Sequence, residues 1–412
     1  MVNLLRRHPV AIALVLLLVV TAIHPIPPLV DAITGSAPGD ADLDRPLLYV
    51  VSAPLSNTLD ALTFFSQARA EWFLAFWIVA LGLWGALAGR GAATTWRRRI
   101  LRIVVGPAIL VALGVAAVLL PRPVPRLVTD NGAGTVIDYH AHTNASHDGR
   151  PGWTVQRLAR WHARQGFEAS YVTDHNVIYD GAMPPEGTPI TLLPGVEWSV
   201  FGQHVVAIGP VEAVPRDSFG ETTARMVRIF SAVERQGALS IASLPEYWRN
   251  HRDDLGAFVV AGVDGFEIVN CAPKALSFPS DGRRQVIALA ASHDLLVVGA
   301  SDNHGWGAVT CVWNVSQAGA QGFRTNRVYA RPVALIQGDW LPWTAPVTQG
   351  WFMFRSLGWS DRISWLTWVV IILLYRAMPR REGQSAGIGI LARSVGRTSR
   401  RSAAAVPDGT PT

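Results

Sequence analysis

Residues 138 to 149 read Asp138-Tyr139-His140-Ala141-His142-Thr143-Asn144-Ala145-Ser146-His147-Asp148-Gly149, a dense packet of metal-ligating side chains. Two histidines one residue apart at a strand end face the same way, because side chains alternate with period two, so His140 and His142 can grip one ion. Gly149 and Pro151 turn the chain and let Asp148 fold back toward them, while His147 should point away from Asp148. The same residue types recur at Asp174-His175, Glu197, His204 and Asp302-Asn303-His304. Imidazole with carboxylate suits Zn, Mn or Fe better than Ca or Mg alone. Two such ions lower the pKa of a water and stabilise both attacking and leaving oxygens of an in-line phosphoryl displacement, so no serine or cysteine nucleophile is required. Asp138 and Asp174 lie beside ligands and are placed to orient imidazoles. Arg249, Arg252 or His251 could neutralise a substrate phosphate. His162, His251 and His293 stand apart from the cluster and read as structural histidines.

These side chains must be positioned by the elements before them. Thr135-Val136-Ile137 is a short apolar run that reads as a buried strand. Val155, Leu158 and Trp161 recur at helical spacing between arginines, which predicts an amphipathic helix over 153–166. Further strands are expected at 169–173, 190–193, 203–209, 238–242, 264–270 and 295–300, with helices at 222–236 and 283–292. Strand and helix alternate, and the ligand-type residues fall mostly at strand ends. That is the layout of an α/β barrel with its chemistry at the C-terminal mouth. An open doubly wound sheet alternates too, but ligands from so many successive strands converge more readily on a barrel mouth.

The rest of the chain is too apolar for an ordinary soluble protein of 412 residues, since half of them are hydrophobic. The excess sits at the ends. Three apolar stretches, 9–23, 72–88 and 103–120, are expected to span a membrane before the domain, and a fourth, 363–374, after it. Residues 9–23 read as an uncleaved anchor rather than a signal peptide, and 47–65 as an interfacial segment. Arginines flank these runs: Arg6 and Arg7, then Arg90, Arg97, Arg98, Arg99 and Arg102, then Arg376, Arg380, Arg381 and Arg393. The positive-inside tendency places these clusters and both termini in the cytoplasm and the domain outside it. The net charge of +6 is therefore assigned to membrane flanks, and no nucleic acid is expected as a stable partner. Trp351, Trp359, Trp365 and Trp368 read as an interfacial belt. The expected organisation is a membrane region at 1–126, a domain at 127–345, an interfacial segment and last span at 346–378, and a disordered basic tail at 379–412. Cys271 and Cys311 either pair outside the cytoplasm or are buried thiols, and the sequence leaves both open.

Over residues 134–310 the sequence resembles the polymerase and histidinol phosphatase (PHP) family of metal-dependent phosphoesterases. The opening packet, Thr173-Asp174-His175, Pro194-Gly195-Val196-Glu197 and Ser301-Asp302-Asn303-His304 occur in that family's order. The resemblance implies a distorted (β/α)7 barrel with two or three divalent ions. It assigns one ion to His140, His142, Glu197 and Asp302, and a second to Asp148, His175 and His304. Glu197 would bridge toward a third, with His204 as a contributor. The family's Ala-His-Pro turn is replaced here by Ser243-Leu244-Pro245, which points to a two-metal centre. The expected activity is hydrolysis of a phosphate mono- or diester, with an envelope- or lipid-linked substrate among those open. The alternatives are a non-catalytic, metal-stabilised sensor or binding module, and a hydrolase of a non-phosphate bond such as an amide or lactone.

Overall fold

In the computed structural model, which describes residues 8–87, 95–130, 134–179, 187–200, 203–214, 223–317 and 326–378, short apolar runs form strands and amphipathic runs form the helices around them. Arg6, Arg7, Arg90 and the basic tail 379–412 lie outside the described residues. The N-terminal part comprises α1 (Pro9–Ile23), β1 (Val30–Asp31), β2 (Ala41–Asp44), α2 (Leu47–Val51), α3 (Ala53–Thr63), α4 (Gln67–Leu87), α5 (Trp96–Leu119) and β3 (Arg126–Thr129). There follow β4 (Thr135–Asp138), α6 (Val155–Arg164), β5 (Ala169–Val172), β6 (Thr191–Val200), β7 (Gln203–Ile208), α7 (Thr223–Arg235) and β8 (Leu239–Ser243). Next come α8 (Leu244–His251), α9 (Leu255–Ala261), β9 (Gly265–Asn270), α10 (Ser280–Ser292), β10 (Leu296–Ala300), β11 (Val312–Ser316) and β12 (Arg327–Ala330). The last elements are α11 (Pro332–Ile336), α12 (Ala345–Arg355) and α13 (Trp359–Ala377).

Ten strands form one curled sheet in the order β1-β12-β11-β4-β5-β6-β7-β8-β9-β10, and β2 pairs with β3 separately. The pairs β4/β5, β5/β6, β8/β9 and β9/β10 are parallel, and the rest of the sheet is antiparallel. This corrects the expected strand–helix alternation. β6 ends at Val200 and β7 starts at Gln203, which leaves too little chain for a crossover helix, so the two pair as a hairpin.

The sheet curls until its parallel end returns to β4. Beyond β4, Ala141 bridges Asn303 in parallel, with Asp302 N donating to His140 O (2.9 Å) and His142 N to Asn303 O (3.3 Å). Lower down, the buried Asn314 side chain closes the gap between β11 and β10. It accepts from Gly299 N (2.7 Å) and donates to Gly299 O (2.7 Å) and Ile137 O (3.1 Å). Gly299 has no room for a side chain, because a Cβ there would lie 2.2 Å from Val312 Cγ2. Ile137, Tyr139, Tyr171, Val206, Ile241 and Val298 from five strands or their ends fill the space the sheet encloses. The helices cover its outside through a larger core that includes Ile229, Phe230, Phe258 and Phe266.

A first unit spans Met1–Trp365 and a second Leu366–Thr412. The first crosses the expected 126/127 boundary: β1 pairs with β12, and Arg331 forms an ion pair with the buried Asp60 at 3.4 Å. Cys271 and Cys311 form a disulfide.

Where four membrane spans were expected, two helices among the described residues, α4 and α5, are long and apolar enough to cross a membrane. The α1 helix has 15 residues. At a rise of 1.5 Å per residue it reaches about 22 Å, short of a hydrocarbon core of about 30 Å. Pro342–Arg355 and α13 qualify only when taken together, and they are bent by 110°. The segment 47–65 forms α2 and α3, in which Tyr49, Asn57 and Asp60 are buried.

Candidate metal centre

The closure of the sheet builds the site. Because Ala141 bridges Asn303 and packs outward with Trp153 and Leu158, its neighbours His140 and His142 face the enclosed mouth. Their Nε2 atoms lie 2.8 Å apart. Asp302, at the end of β10, has a left-handed backbone (φ 47°), as does Asn176 (φ 56°) beside His175. Non-glycine residues rarely adopt this conformation, and it clusters at functional sites. The turn at Gly149 brings Asp148 back as expected. A side chain there would meet Thr143 O at 2.1 Å, so only glycine fits.

Two ligand sets result, both touching Glu197. In the first, Glu197 Oε2 lies 3.2 Å from His140 Nε2 and 3.3 Å from His142 Nε2, and Asp302 Oδ1 lies 3.1 Å from His142 Nε2. In the second, Asp148 lies 3.5 Å from His175 Nε2 and 3.3 Å from His304 Nε2, and those two nitrogens are 3.5 Å apart. His175 Nδ1 lies 2.9 Å from Glu197 Oε2 and joins the sets. Ligand atoms about 2.1 Å from a tetrahedral ion sit roughly 3.4 Å from one another, so this spacing suits ions between the side chains. Glu197 is fully buried, yet neither of its oxygens has a well-directed hydrogen bond, and neither does Asp302 Oδ1 or His175 Nδ1. Buried polar atoms left so are costly unless a cation completes them. The donor set thus fits divalent metal ions.

His204 joins the cluster from the other side, where with His175 and Glu197 it makes a third group of ligand-type atoms. Its Nδ1 is 2.6 Å from Glu197 Oε1 and its Nε2 is 3.1 Å from the Tyr247 hydroxyl, so both ring nitrogens have protein partners. Leu244, at the altered turn, is fully buried in the core and starts α8.

The groups that aim the ligands are only partly those expected. His140 Nδ1 is 2.6 Å from Glu267 Oε1, and Glu267 in turn accepts from Ser243 Oγ (2.5 Å) and Asn270 Nδ2 (3.0 Å). Asn270 Nδ2 also donates to Asp302 Oδ2 at 3.1 Å. Asp138 instead accepts from the backbone of His140 (3.3 Å) and Ser301 (3.1 Å) and pairs with the His162 imidazole (2.8 Å), so it clamps the closure rather than a candidate ligand's ring. Asp174 acts through Ser146, whose Oγ donates to Asp174 (3.1 Å) and lies 2.9 Å from His142 Nδ1. Glu267, Ser146, Asn270 and Tyr247 were not singled out from the sequence. The one available signal was a carboxylate at 267 between the apolar Phe266 and Ile268 of a strand.

Electrostatics match this layout. Burial pushes His142 down to about 3, and the neighbouring His304 adds to the effect, which leaves a neutral imidazole ready to ligate. Burial opposes charge on His304, but Asp148 and Asp302 outweigh it and push His304 up to about 9. Burial alone would raise Glu197 and Asp302, yet the surrounding histidines, His140 foremost, hold both well below the usual carboxylate range.

The cluster opens into a cavity of about 760 Å³ bordered by Asp148, His175, His204, Tyr247, Lys274 and Trp306. Arg249 and Arg252 do not line it and border a separate depression with Trp248 and Pro279. Among the described residues at the mouth, Lys274 offers a cation and pairs with Glu246 at 3.0 Å. His147 stands at the rim, its Nδ1 3.9 Å from Asp148 Oδ1. His251 packs edge-on against Phe258, away from the mouth.

No protein-family model matches the chain, and no curated protein sequence does. Among solved structures, a protein from Bifidobacterium adolescentis described as a metal-dependent phosphoesterase is similar at 18% identity and a TM-score of 0.33, over 42% of this chain and 89% of that one. PsfC from Pseudomonas syringae is similar at 18% identity and a TM-score of 0.36, over 53% and 97%. A lesion-specific endonuclease from Pyrococcus furiosus is similar at 15% identity and a TM-score of 0.31, over 47% and 57%. These likenesses are weak, so the chemistry must be read from the side chains themselves.

Proposed function

We propose that the chain is a membrane-anchored metal-dependent phosphoesterase of the PHP type, built on a distorted (β/α)7 barrel, which hydrolyses a phosphate mono- or diester. The observation that carries this reading is the pair of ligand sets meeting at one buried carboxylate, Glu197. His140, His142, Glu197 and Asp302 would hold one ion, and Asp148, His175 and His304 a second. Zn, Mn or Fe suit these donors. Bound there, such ions supply hydroxide at neutral pH and offset charge on a phosphoryl group. The protein's own part is positional. Glu267 and the Asp174–Ser146 pair aim the imidazoles. Lys274 offers a cation to a phosphoryl oxygen at the mouth, and Tyr247 fixes His204 against Glu197. With Leu244 in place of a histidine and both nitrogens of His204 engaged, the centre is read as binuclear.

For the placement, α4 and α5 serve as the membrane anchor. Arg97, Arg98, Arg99 and Arg102 at the start of α5 favour the cytoplasmic side, which leaves the metal centre outside. The Cys271–Cys311 disulfide agrees, since such bonds persist in oxidising compartments.

The test uses the full chain in detergent, because β1 belongs to the main sheet. Metal content and turnover of p-nitrophenyl phosphate, its bis-ester and a nucleotide panel are measured with Mn or Zn, against a double His140→Ala/His142→Ala variant. Two ions per chain and turnover lost in the variant are expected. Metal bound with no ester cleaved would favour a binding module or a hydrolase of another bond.

A further inference from the structure

The cavity over the metal centre is not walled by the domain alone. Thr63, Phe64 and Gln67, at the junction of α3 and α4, and Val118, in the last turn of α5, line one side of it. The junction is fixed there: Gln67 N donates to Pro273 O (2.9 Å) and Thr63 Oγ1 to Ala117 O (3.0 Å). The helices α4 and α5 run antiparallel, with Gly85 against the Arg102 backbone and Gly106 against Leu81. The start of α4 and the end of α5 therefore share one end of the hairpin, and that end borders the mouth.

The apolar surface of the hairpin begins at the same level. Val115 is 53% exposed and lies within one helical turn of Val118, and Trp72 is 53% exposed in the second turn of α4. Beside that start, Arg69 is buried against α12 and the segment that leads into it. Its guanidinium donates to Thr348 Oγ1 (2.7 Å) and stacks on Trp340 at 4.9 Å. The same segment and α12 expose Trp343 and Trp351. Tryptophan exposed next to the end of an apolar helix marks the headgroup level of a bilayer. The mouth, the helix ends and these tryptophans lie together.

Resting on the phosphoesterase reading above, we propose that the substrate is a phosphate ester carried on a membrane lipid, which enters the cavity from the adjoining leaflet while its acyl chains stay in the bilayer. A cavity of about 760 Å³ accommodates a headgroup. Lys274, the only lysine in the chain, offers it a cation at the mouth. Hydrolysis adds one water across the P–O bond: the water oxygen bonds to phosphorus, the bond to the departing alcohol breaks, and that alcohol takes a proton. Acyl chains held in the membrane near Val118 contribute binding energy remote from the reacting bond, which a soluble headgroup lacks.

The test uses the full chain reconstituted in phosphatidylcholine vesicles with Mn. Dioleoyl phosphatidic acid is compared with glycerol 3-phosphate, and dioleoyl phosphatidylglycerol with glycerophosphoglycerol, with p-nitrophenyl phosphate as a control. For at least one pair, kcat/KM is expected to favour the lipid by roughly tenfold or more, about 1.4 kcal/mol. Turnover of the soluble members that equals or exceeds that of the lipids overturns the proposal and leaves the phosphoesterase reading intact. No turnover of any ester, the control included, overturns that reading, and the proposal falls with it. A second readout needs no turnover: a nitroxide on Val118→Cys in lipid nanodiscs should report headgroup depth by oxygen and nickel accessibility. A label in bulk water or at the bilayer centre also overturns the proposal.

Discussion

The imidazole of His140 is aimed by Glu267: Nδ1 of the histidine lies 2.6 Å from Oε1 of the glutamate, which turns Nε2 toward His142 and Glu197. Glu267 is fully buried, and its other oxygen accepts from Ser243 and Asn270. Three elements, β4, β8 and β9, thus set the orientation of one ligand.

Glu267→Gln keeps the shape of the side chain and removes its charge. Carboxylates of this kind raise the basicity of the ligand they hold, and their loss typically costs roughly 10- to 100-fold in metal affinity. Isothermal titration with Mn should show one of two sites weakened by that factor, with the Asp148–His175–His304 site little changed. Two sites of native affinity in the variant would show that Glu267 only packs the strand.

Glu267 also marks where reading the sequence stops. Residue types able to ligate a metal, near strand ends and turns, drew attention to His140, His142, Asp148, His175, Glu197, Asp302 and His304, and the structure brings these side chains together. Ser146, Glu267, Asn270 and Tyr247 act through hydrogen bonds between elements distant in sequence, and serine, asparagine and tyrosine occur anywhere. The fold was legible in the same measure. Apolar runs gave β4, β5, the start of β6 and β7 to β10, but not β11 and β12, where no ligand residue drew attention, nor β1, which joins the sheet from the expected membrane region. At α1 the helix has the expected bounds, 9–23, but composition suggested a span that 15 residues are too few to make.

His204 separates a binuclear from a trinuclear centre. Both of its nitrogens already face protein groups, Glu197 at 2.6 Å and Tyr247 at 3.1 Å. His204→Ala should therefore leave two ions per chain by elemental analysis while lowering turnover, because Glu197 loses the imidazole that lies 2.6 Å from its Oε1 and is held less firmly. Tyr247→Phe should act in the same direction and more weakly. A metal count that falls by one in His204→Ala would assign that histidine to a third ion.

Asn314 holds the sheet closed below the metal centre. Removing its amide in Asn314→Ala strands Gly299 N, Gly299 O and Ile137 O in a dry interior. Each buried unsatisfied group costs about 1–3 kcal/mol. A loss of roughly 3 kcal/mol or more is expected by denaturant unfolding in detergent, with metal affinity falling as the β4–β10 contact loosens. A variant of native stability would mean that the closure rests on the Ala141–Asn303 bridge alone.

The disulfide joins the chain just after β9 to the residue before β11, closing a loop of 40 residues, and Cys271 itself lines the cavity. Loop-closure entropy for that length corresponds to about 4 kcal/mol, on a model in which the bond mainly restricts the unfolded chain. The double variant Cys271→Ser/Cys311→Ser should therefore melt well below the native protein, and dithiothreitol should lower the native melting temperature toward the variant's. The 271–274 loop carries Lys274 and the Pro273 carbonyl that anchors α4. Turnover of a membrane-borne ester should thus fall more steeply on reduction than turnover of p-nitrophenyl phosphate. Equal losses on both substrates would show that the bond stabilises the fold without shaping the mouth.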